Sequence, residues 1–139
     1  QAPRPLVAWL EAGDTIAVQM TPHNMTLIRQ RGNRYMSDLL AKYWLMSTPS
    51  PSPCDDALCA YELVNSQRLA LVNYRHGLTR ACAEFDIVLA PRVAALYSCQ
   101  AELWDKPRFQ ENPSVEIYDK QKSGATAPQI TRLWQVRAD

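Results

Sequence analysis

The sequence predicts a mixed α/β fold of the α+β kind, in which sheet dominates, two short helices accompany it and disulfide bonds stabilise it. Several short segments alternate apolar and polar residues with a period of two, which is typical of strands with one buried face. One longer segment repeats its apolar residues at helical spacing. A third stretch has the pattern strand, helix, strand, which indicates a parallel pair of strands.

The first three strands are predicted to form an antiparallel meander. Alternation predicts strands over residues 6–11 and 15–20, and Gly13 and Asp14 between them favour a hairpin turn. A third strand is predicted over residues 26–31. Because consecutive strands joined by short turns usually pair, we expect these three to be neighbours in one sheet.

An amphipathic helix is predicted over residues 34–46. Its apolar residues recur three and four positions apart and are Tyr35, Leu39, Leu40, Tyr43, Trp44 and Met46. The helix is expected to end at the loop of residues 48–53, which contains three prolines and cannot continue it.

The clearest unit is a strand, helix and strand in succession. Strands are predicted over residues 60–65 and 68–74, a short helix over residues 78–85 after Gly77, and a strand over residues 86–90. Such a crossover makes its two flanking strands parallel. Three more strands are predicted over residues 101–105, 115–119 and 130–137.

Length and charge limit the classes of protein that the chain can represent. Its 139 residues, 47% of them hydrophobic, predict one domain, over residues 6–139. The first five residues, Gln1-Ala2-Pro3-Arg4-Pro5, are typical of a linker. Fifteen basic and fourteen acidic residues give a net charge of +1, so no global field attracts the chain to nucleic acid. The apolar runs are far shorter than the roughly 20 residues that cross a bilayer.

The four cysteines predict two disulfides. Cys54 and Cys59 lie beside the proline-rich loop, and Cys82 and Cys99 flank one predicted strand. Pairing Cys54 with Cys59 and Cys82 with Cys99 closes the local loops, and the second closure would contribute about 3 kcal/mol. Two alternatives stay open: a zinc site formed by Cys54, Cys59 and either His76 or Cys82, and reduced thiols in the core.

The sequence offers no catalytic or metal-binding constellation. His23 and His76 are its two histidines, and both lie in predicted turns, where imidazoles are usually solvated. A dinuclear hydrolytic site needs several histidines and carboxylates around two ions. We therefore predict no catalytic residue, no metal ligand and no cofactor.

Basic residues provide one indication of nucleic-acid binding. Arg29, Arg31 and Arg34 alternate along the end of the third strand and the turn after it, with Tyr35 nearby for stacking. These four residues are the candidate contacts for single-stranded DNA. The competing interpretation is a solvated edge strand whose charges prevent edge pairing.

Several motifs resemble one bacterial family. The segment from Leu10 to Val18 resembles the D-V-G-Q-G-D-(A/S)-I-L-I that opens the metallo-β-lactamase-like domain of ComEC, the DNA-uptake channel protein. Further landmarks follow in the family's order over residues 6–100. They are Arg34 to Leu45 with Trp44, the C-D-x-x-x-C from Cys54 to Cys59, Ala81-Cys82, the strand from Phe85 to Leu89, and Cys99.

One family motif is missing. The metal-binding H-x-H-x-D-H is absent, and the segment from Gly32 to Leu40 stands where it is expected. The resemblance thus implies a degenerate metallo-β-lactamase-like sheet without catalysis. It also implies a soluble domain on the periplasmic side of a bacterial inner-membrane protein that takes up DNA in natural transformation.

The expected role of this domain is structural or weakly DNA-binding. Its partners would be the transmembrane channel part of the same protein and single-stranded DNA, with no small-molecule substrate. Two alternatives are an independent secreted, disulfide-stabilised binding protein and a small hydrolase of unrecognised site geometry.

Overall fold

The computed structural model describes residues 4–31, 46–47, 53–96, 98–119 and 130–131. The chain divides into two compact units: a first unit, Gln1–Thr48 with Asn112–Asp139, and a second unit, Pro49–Glu111. Each unit has its own sheet. With two short helices and two disulfides, this architecture confirms the predicted mixed α+β class. The single domain of residues 6–139 after a linker of residues 1–5 stays a prediction.

The described residues form ten strands and two α-helices. The strands are β1 Val7–Leu10, β2 Thr15–Thr21, β3 Asn24–Gln30, β4 Met46–Ser47, β5 Leu58–Glu62, β6 Arg68–Val72, β7 Ile87–Leu89, β8 Glu102–Trp104, β9 Val115–Ile117 and β10 Ile130–Thr131. The helices are α1 Leu78–Glu84 and α2 Lys106–Glu111. Within the described ranges, neither helix has the length and apolar content that a membrane crossing requires.

The first unit contains the sheet β10-β9-β1-β2-β3-β4. All neighbouring strands are antiparallel except β3 and β4, which are parallel. The predicted meander of the first three strands is confirmed. Strand β1 lies in the interior of this sheet. All four of its residues are apolar and buried, although successive side chains point to opposite faces, which is typical of a strand covered on both faces.

The turn between β1 and β2 is longer than the Gly13-Asp14 turn that the sequence predicted. Leu10 pairs with Thr15, so four residues connect the strands. Glu11, Ala12 and Gly13 have φ values of 55°, 54° and 93°, in the left-handed region that disfavours side chains. The N–H of Ala12 donates to the carbonyl of Pro113 at 2.9 Å, which anchors the turn to the segment before β9.

The second unit contains the sheet β5-β6-β7-β8. Strands β5 and β6 are antiparallel, whereas β6, β7 and β8 are mutually parallel, which confirms the predicted strand-helix-strand unit. Helix α1 packs because Leu78, Ala81 and Cys82, three and four positions apart, are buried on one face. They join a core that includes Leu58, Ala70, Val72, Phe85, Val88, Ala90 and Val93.

The sequence did not predict helix α2, which contains Pro107 in its first turn. Proline is tolerated in the first turn of a helix, where its missing N–H removes no helical hydrogen bond. The helix predicted over residues 34–46 lies outside the described residues, except that Met46 begins β4.

Candidate functional site at the carboxyl end of strand β6

The candidate site lies where the parallel strand β6 passes into helix α1. After Val72 the chain continues through Asn73 and Tyr74 into a 3-10 turn, Arg75–Gly77, and α1 begins at Leu78. In open sheets with parallel strands, ligands bind at the carboxyl ends of the strands. Exposed side chains follow β6 at this edge, namely Tyr74, Arg75 and His76.

The loop closed by the Cys54–Cys59 disulfide contacts this turn. The two cysteines also form an antiparallel bridge. Inside the loop, one carboxylate oxygen of Asp55 accepts from the N–H groups of Ala57 and Leu58 at 2.7 and 2.9 Å. The backbone N–H of Asp55 donates to the carbonyl of Leu58 at 3.0 Å. These bonds and the disulfide fix the conformation of the loop.

Asp55 also connects this loop to helix α1. Its second carboxylate oxygen accepts from the guanidinium of Arg80 at 2.8 Å. The N–H of Leu58 and then the Arg80 guanidinium hold the pKa of Asp55 well below its usual range, because both stabilise the ionised carboxylate. The hydrogen bond to Asp55 raises the pKa of Arg80 in turn. Each charge at this contact therefore offsets the other.

Gly77 permits the loop and the turn to approach each other. A Cβ atom at this position would lie 2.4 Å from the carbonyl oxygen of Ala57, which is a backbone atom and cannot rotate away. The sequence showed Gly77 as a break before the helix. The close approach is visible in the structure alone.

Tyr74 and His76 form a stacked pair, the aromatic platform of this site. Their ring centroids are 5.7 Å apart and the ring planes differ by 13°. Nε2 of His76 lies 3.2 Å from the carbonyl oxygen of Asp56, and because a carbonyl only accepts, Nε2 carries the proton in this contact. The disulfide-closed loop thus holds one ring of the platform in place. The other ring, Tyr74, is 61% exposed.

The structure confirms the predicted cysteine pairing. Cys54 bonds to Cys59 and Cys82 bonds to Cys99, with Cα atoms 3.9 and 5.2 Å apart. All four thiols are consumed, so the zinc site and the reduced thiols that stayed open are excluded. Cys82–Cys99 joins α1 to the segment before β8, whereas Cys54–Cys59 belongs to the candidate site.

The predicted basic stretch is not presented as one exposed surface. Arg29 is 5% exposed and pairs in register with Ile16 of β2, so the exposure assumed for it is wrong. Arg31 is exposed, and Arg34 and Tyr35 lie outside the described residues. Among the described residues, β4 pairs with β3 at Met25 and Thr26 alone, so the edge-strand interpretation stays a prediction for the Arg31 end of the stretch. DNA binding by this stretch stays a prediction.

Both histidines lie in exposed turns. Within the described ranges, no three His, Cys, Asp or Glu side chains are grouped closely enough to hold a metal ion. His76 is occupied by stacking and by the Asp56 carbonyl. His23 is exposed in the turn between β2 and β3, as the sequence predicted. Sequence reasoning missed Tyr74, because it placed this residue at the end of the strand predicted over residues 68–74, whereas β6 ends at Val72.

Comparison of the chain with protein-family models, curated proteins and solved structures gave no match in any of the three.

Proposed function

We propose that this chain is a non-catalytic, metallo-β-lactamase-like domain of a ComEC-type DNA-uptake protein. The observation that carries the proposal is the order of the family's landmarks along the sequence, from the Gly13-Asp14 turn to Cys99. In this proposal the domain lies on the periplasmic side of the bacterial inner membrane. There it supports the channel through which single-stranded DNA passes.

The local roles of the landmark residues support this proposal. In the C-D-x-x-x-C segment, Cys54 pairs with Cys59 and Asp55 accepts the loop's own N–H groups. The cysteine of the A-C landmark, Cys82, pairs with Cys99. The cysteines at the landmark positions thus form the two disulfides of this fold. Such pairing is expected if the family's cysteines have a structural role.

The histidine content supports a role without hydrolysis. The family's metal motif contains three histidines within a short segment, whereas this chain has His23 and His76, one in each unit. The chemistry of a two-metal nuclease therefore has no equivalent ligand set in the sequence. What the domain can supply instead is a rigid surface.

The two disulfides support the proposed location of the domain in the periplasm. Structural disulfides form and persist in oxidising compartments, of which the periplasm is the bacterial example. They also favour the second candidate, an independent secreted binding protein, because small secreted domains use disulfides in the same way. The two candidates differ in whether the chain is continuous with a membrane protein.

Cell fractionation separates these candidates. In the encoding bacterium, an antiserum against the purified chain should detect a protein much larger than the chain in the membrane fraction. Protease added to spheroplasts should remove the epitope, because the domain faces the periplasm. A free species of the chain's own size in the periplasm or the medium would contradict the proposal and support the secreted binding protein.

A further inference from the structure

We infer that the aromatic platform, Tyr74 stacked on His76, binds an unpaired nucleobase of single-stranded DNA. This inference rests on the proposed function and assigns its DNA contact to a new place. The platform belongs to the second unit, whereas the basic stretch of Arg29 and Arg31 belongs to the first.

The ring of Tyr74 is exposed enough for a planar ligand to stack on it. Among the described residues, Tyr74 and Leu96 are the large hydrophobic side chains that are exposed, at 61% and 72%. A flexible leucine offers no defined surface, whereas a tyrosine ring offers a flat one. One face of the Tyr74 ring is occupied by His76, and the exposed fraction leaves ring surface for a further planar group.

The rigidity of the platform is the second argument. His76 is held by the carbonyl of Asp56, and Asp56 lies within the loop closed by Cys54 and Cys59. A ring that is already fixed loses little conformational freedom when a ligand stacks on it. The position of the platform at the carboxyl end of β6, where parallel sheets usually bind ligands, points in the same direction.

The charges around the platform determine the kind of contact. Arg80 is paired with Asp55, and the charged residues that adjoin the platform, along the chain or through the His76 contact, are Arg75 and Asp56, one of each sign. This balance gives little attraction for phosphates, so the base rather than the backbone supplies the affinity. Stacking on an aromatic side chain tolerates any base, because every base has a π-face.

The test measures binding of the full chain to a fluorescein-labelled oligothymidine of 20 nucleotides by anisotropy. An abasic oligonucleotide of the same length is the first control, because it keeps the phosphates and removes the bases. We expect the oligothymidine to bind and the abasic strand to bind at least about fivefold more weakly, which corresponds to one stacked base. One basic side chain, Arg75, lies between Tyr74 and His76 in the sequence, so the logarithm of the affinity should fall with the logarithm of salt at a slope of about −0.7.

Variants then assign the contact to Tyr74. Tyr74→Ala should weaken binding about fivefold or more, whereas Tyr74→Phe keeps the ring and should bind as the native chain does. Tyr74→Leu keeps an apolar side chain but removes the flat surface, so it should resemble Tyr74→Ala. Leu96→Ala is the matched control, because it truncates an equally exposed apolar residue outside the platform.

Three results would overturn the inference. One is equal affinity of Tyr74→Ala and the native chain, with DNA bound elsewhere, and this leaves the proposed function intact. Another is equal affinity for the abasic strand, which assigns the contact to phosphates. The third is binding of a saccharide, but not of the oligothymidine, in a Tyr74-dependent manner. A mononucleotide, used as a competitor, distinguishes a base within a strand from a free one: stronger competition by unlabelled oligothymidine than by the mononucleotide supports the inference as stated.

Discussion

The requirement for glycine at position 77 comes from a neighbouring backbone segment rather than from the φ angle of Gly77 itself. Its φ of −86° is open to any residue, yet a Cβ would lie 2.4 Å from the Ala57 carbonyl oxygen. A contact this short between a side chain and a backbone atom forces one of the two segments to move. The approach of the disulfide-closed loop to helix α1 therefore requires a glycine.

Replacing Gly77 by alanine should destabilise the protein. Overpacking of this kind costs about 1–3 kcal/mol in the free energy of unfolding, which urea denaturation measures. Ala83→Leu is the matched control, since it enlarges an exposed position of helix α1, which follows Gly77, and should change the stability by less than about 0.5 kcal/mol. Equal stability of Gly77→Ala and the native protein would show that the loop can retreat freely.

For individual residues, the sequence predicted the cysteine pairing but neither the burial nor the exposure of particular side chains. The pairing of Cys54 with Cys59 was predictable, because sequence separation alone determines which loop is cheapest to close. The burial of Arg29 was not, because it depends on what covers that face of the first sheet. Tyr74 was missed for the same reason, since exposure is a property of the packed structure.

At the scale of elements, the two disulfides stabilise by different amounts. They close loops with sequence separations of 5 and 17 residues. The longer closure removes more freedom from the unfolded chain, and it joins helix α1 to the segment before β8. Loss of Cys82–Cys99 therefore releases more of the second unit than loss of Cys54–Cys59 does.

We expect the variant Cys82→Ala/Cys99→Ala to lose about 3 kcal/mol of unfolding free energy and Cys54→Ala/Cys59→Ala to lose about 2 kcal/mol. Urea denaturation of both variants beside the native protein measures the difference. The shorter bridge should instead have the larger effect on ligand binding by the aromatic platform, because its loop holds His76 through Asp56. The reverse order of stabilities would contradict the assignment of the longer bridge to the core.

Strand β9 carries a buried acid. Glu116 is 2% exposed, and the hydroxyl of Tyr118 donates to its carboxylate. Burial raises the pKa of Glu116, because the ionised form loses its hydration. Burial and the bond to Glu116 also raise the pKa of Tyr118. The first sheet therefore favours the protonated forms of both groups.

The raised pKa predicts the effect of Glu116→Gln. The folded state holds the proton of Glu116 more firmly than the unfolded chain does, so this group favours folding below its ordinary pKa of 4.5. That contribution is lost as the pH rises through the folded pKa. Glu116→Gln, which stays neutral, should thus be more stable than the native protein at pH 7, and the gap should shrink as the pH falls through the folded pKa and be smallest below 4.5.

Urea denaturation at pH 4 and pH 7 measures this gap. Glu62→Gln is the control, because it removes the same charge from an exposed strand position. A Glu116→Gln variant that is no more stable than the native protein at pH 7 would contradict the claim that burial destabilises the ionised carboxylate of Glu116.

The strands of the second unit were predictable, whereas one helix was not. Strand β6, helix α1 and strand β7 follow from short apolar runs on either side of Gly77, because such a succession is compatible with few arrangements. Helix α2 has six residues and contains Pro107, so no periodic pattern could develop. Its packing depends on Phe109, whose ring lies 6.3 Å from that of Trp104 in a tilted contact.

In the whole molecule, each unit has its own sheet. The two units differ in where they place polar and aromatic side chains. The first unit buries Arg29 and Glu116, and the second presents the aromatic platform. The fold class could be predicted from periodicity, because local spacing reports secondary structure. The candidate site could not, because it joins the loop at Asp56 to the turn at His76, twenty positions later, by a contact that spacing does not encode.

The measurement that tests the central claim most directly is the frequency of natural transformation after in-frame deletion of residues 6–139 in the encoding bacterium. Uptake of labelled donor DNA across the inner membrane is recorded in parallel with DNA bound at the cell surface. A domain that supports a DNA-uptake channel predicts unchanged surface binding with a loss of internalised DNA and of transformants, restored by a copy of the native segment. Transformation and internalisation equal to those of the parent strain would contradict the account.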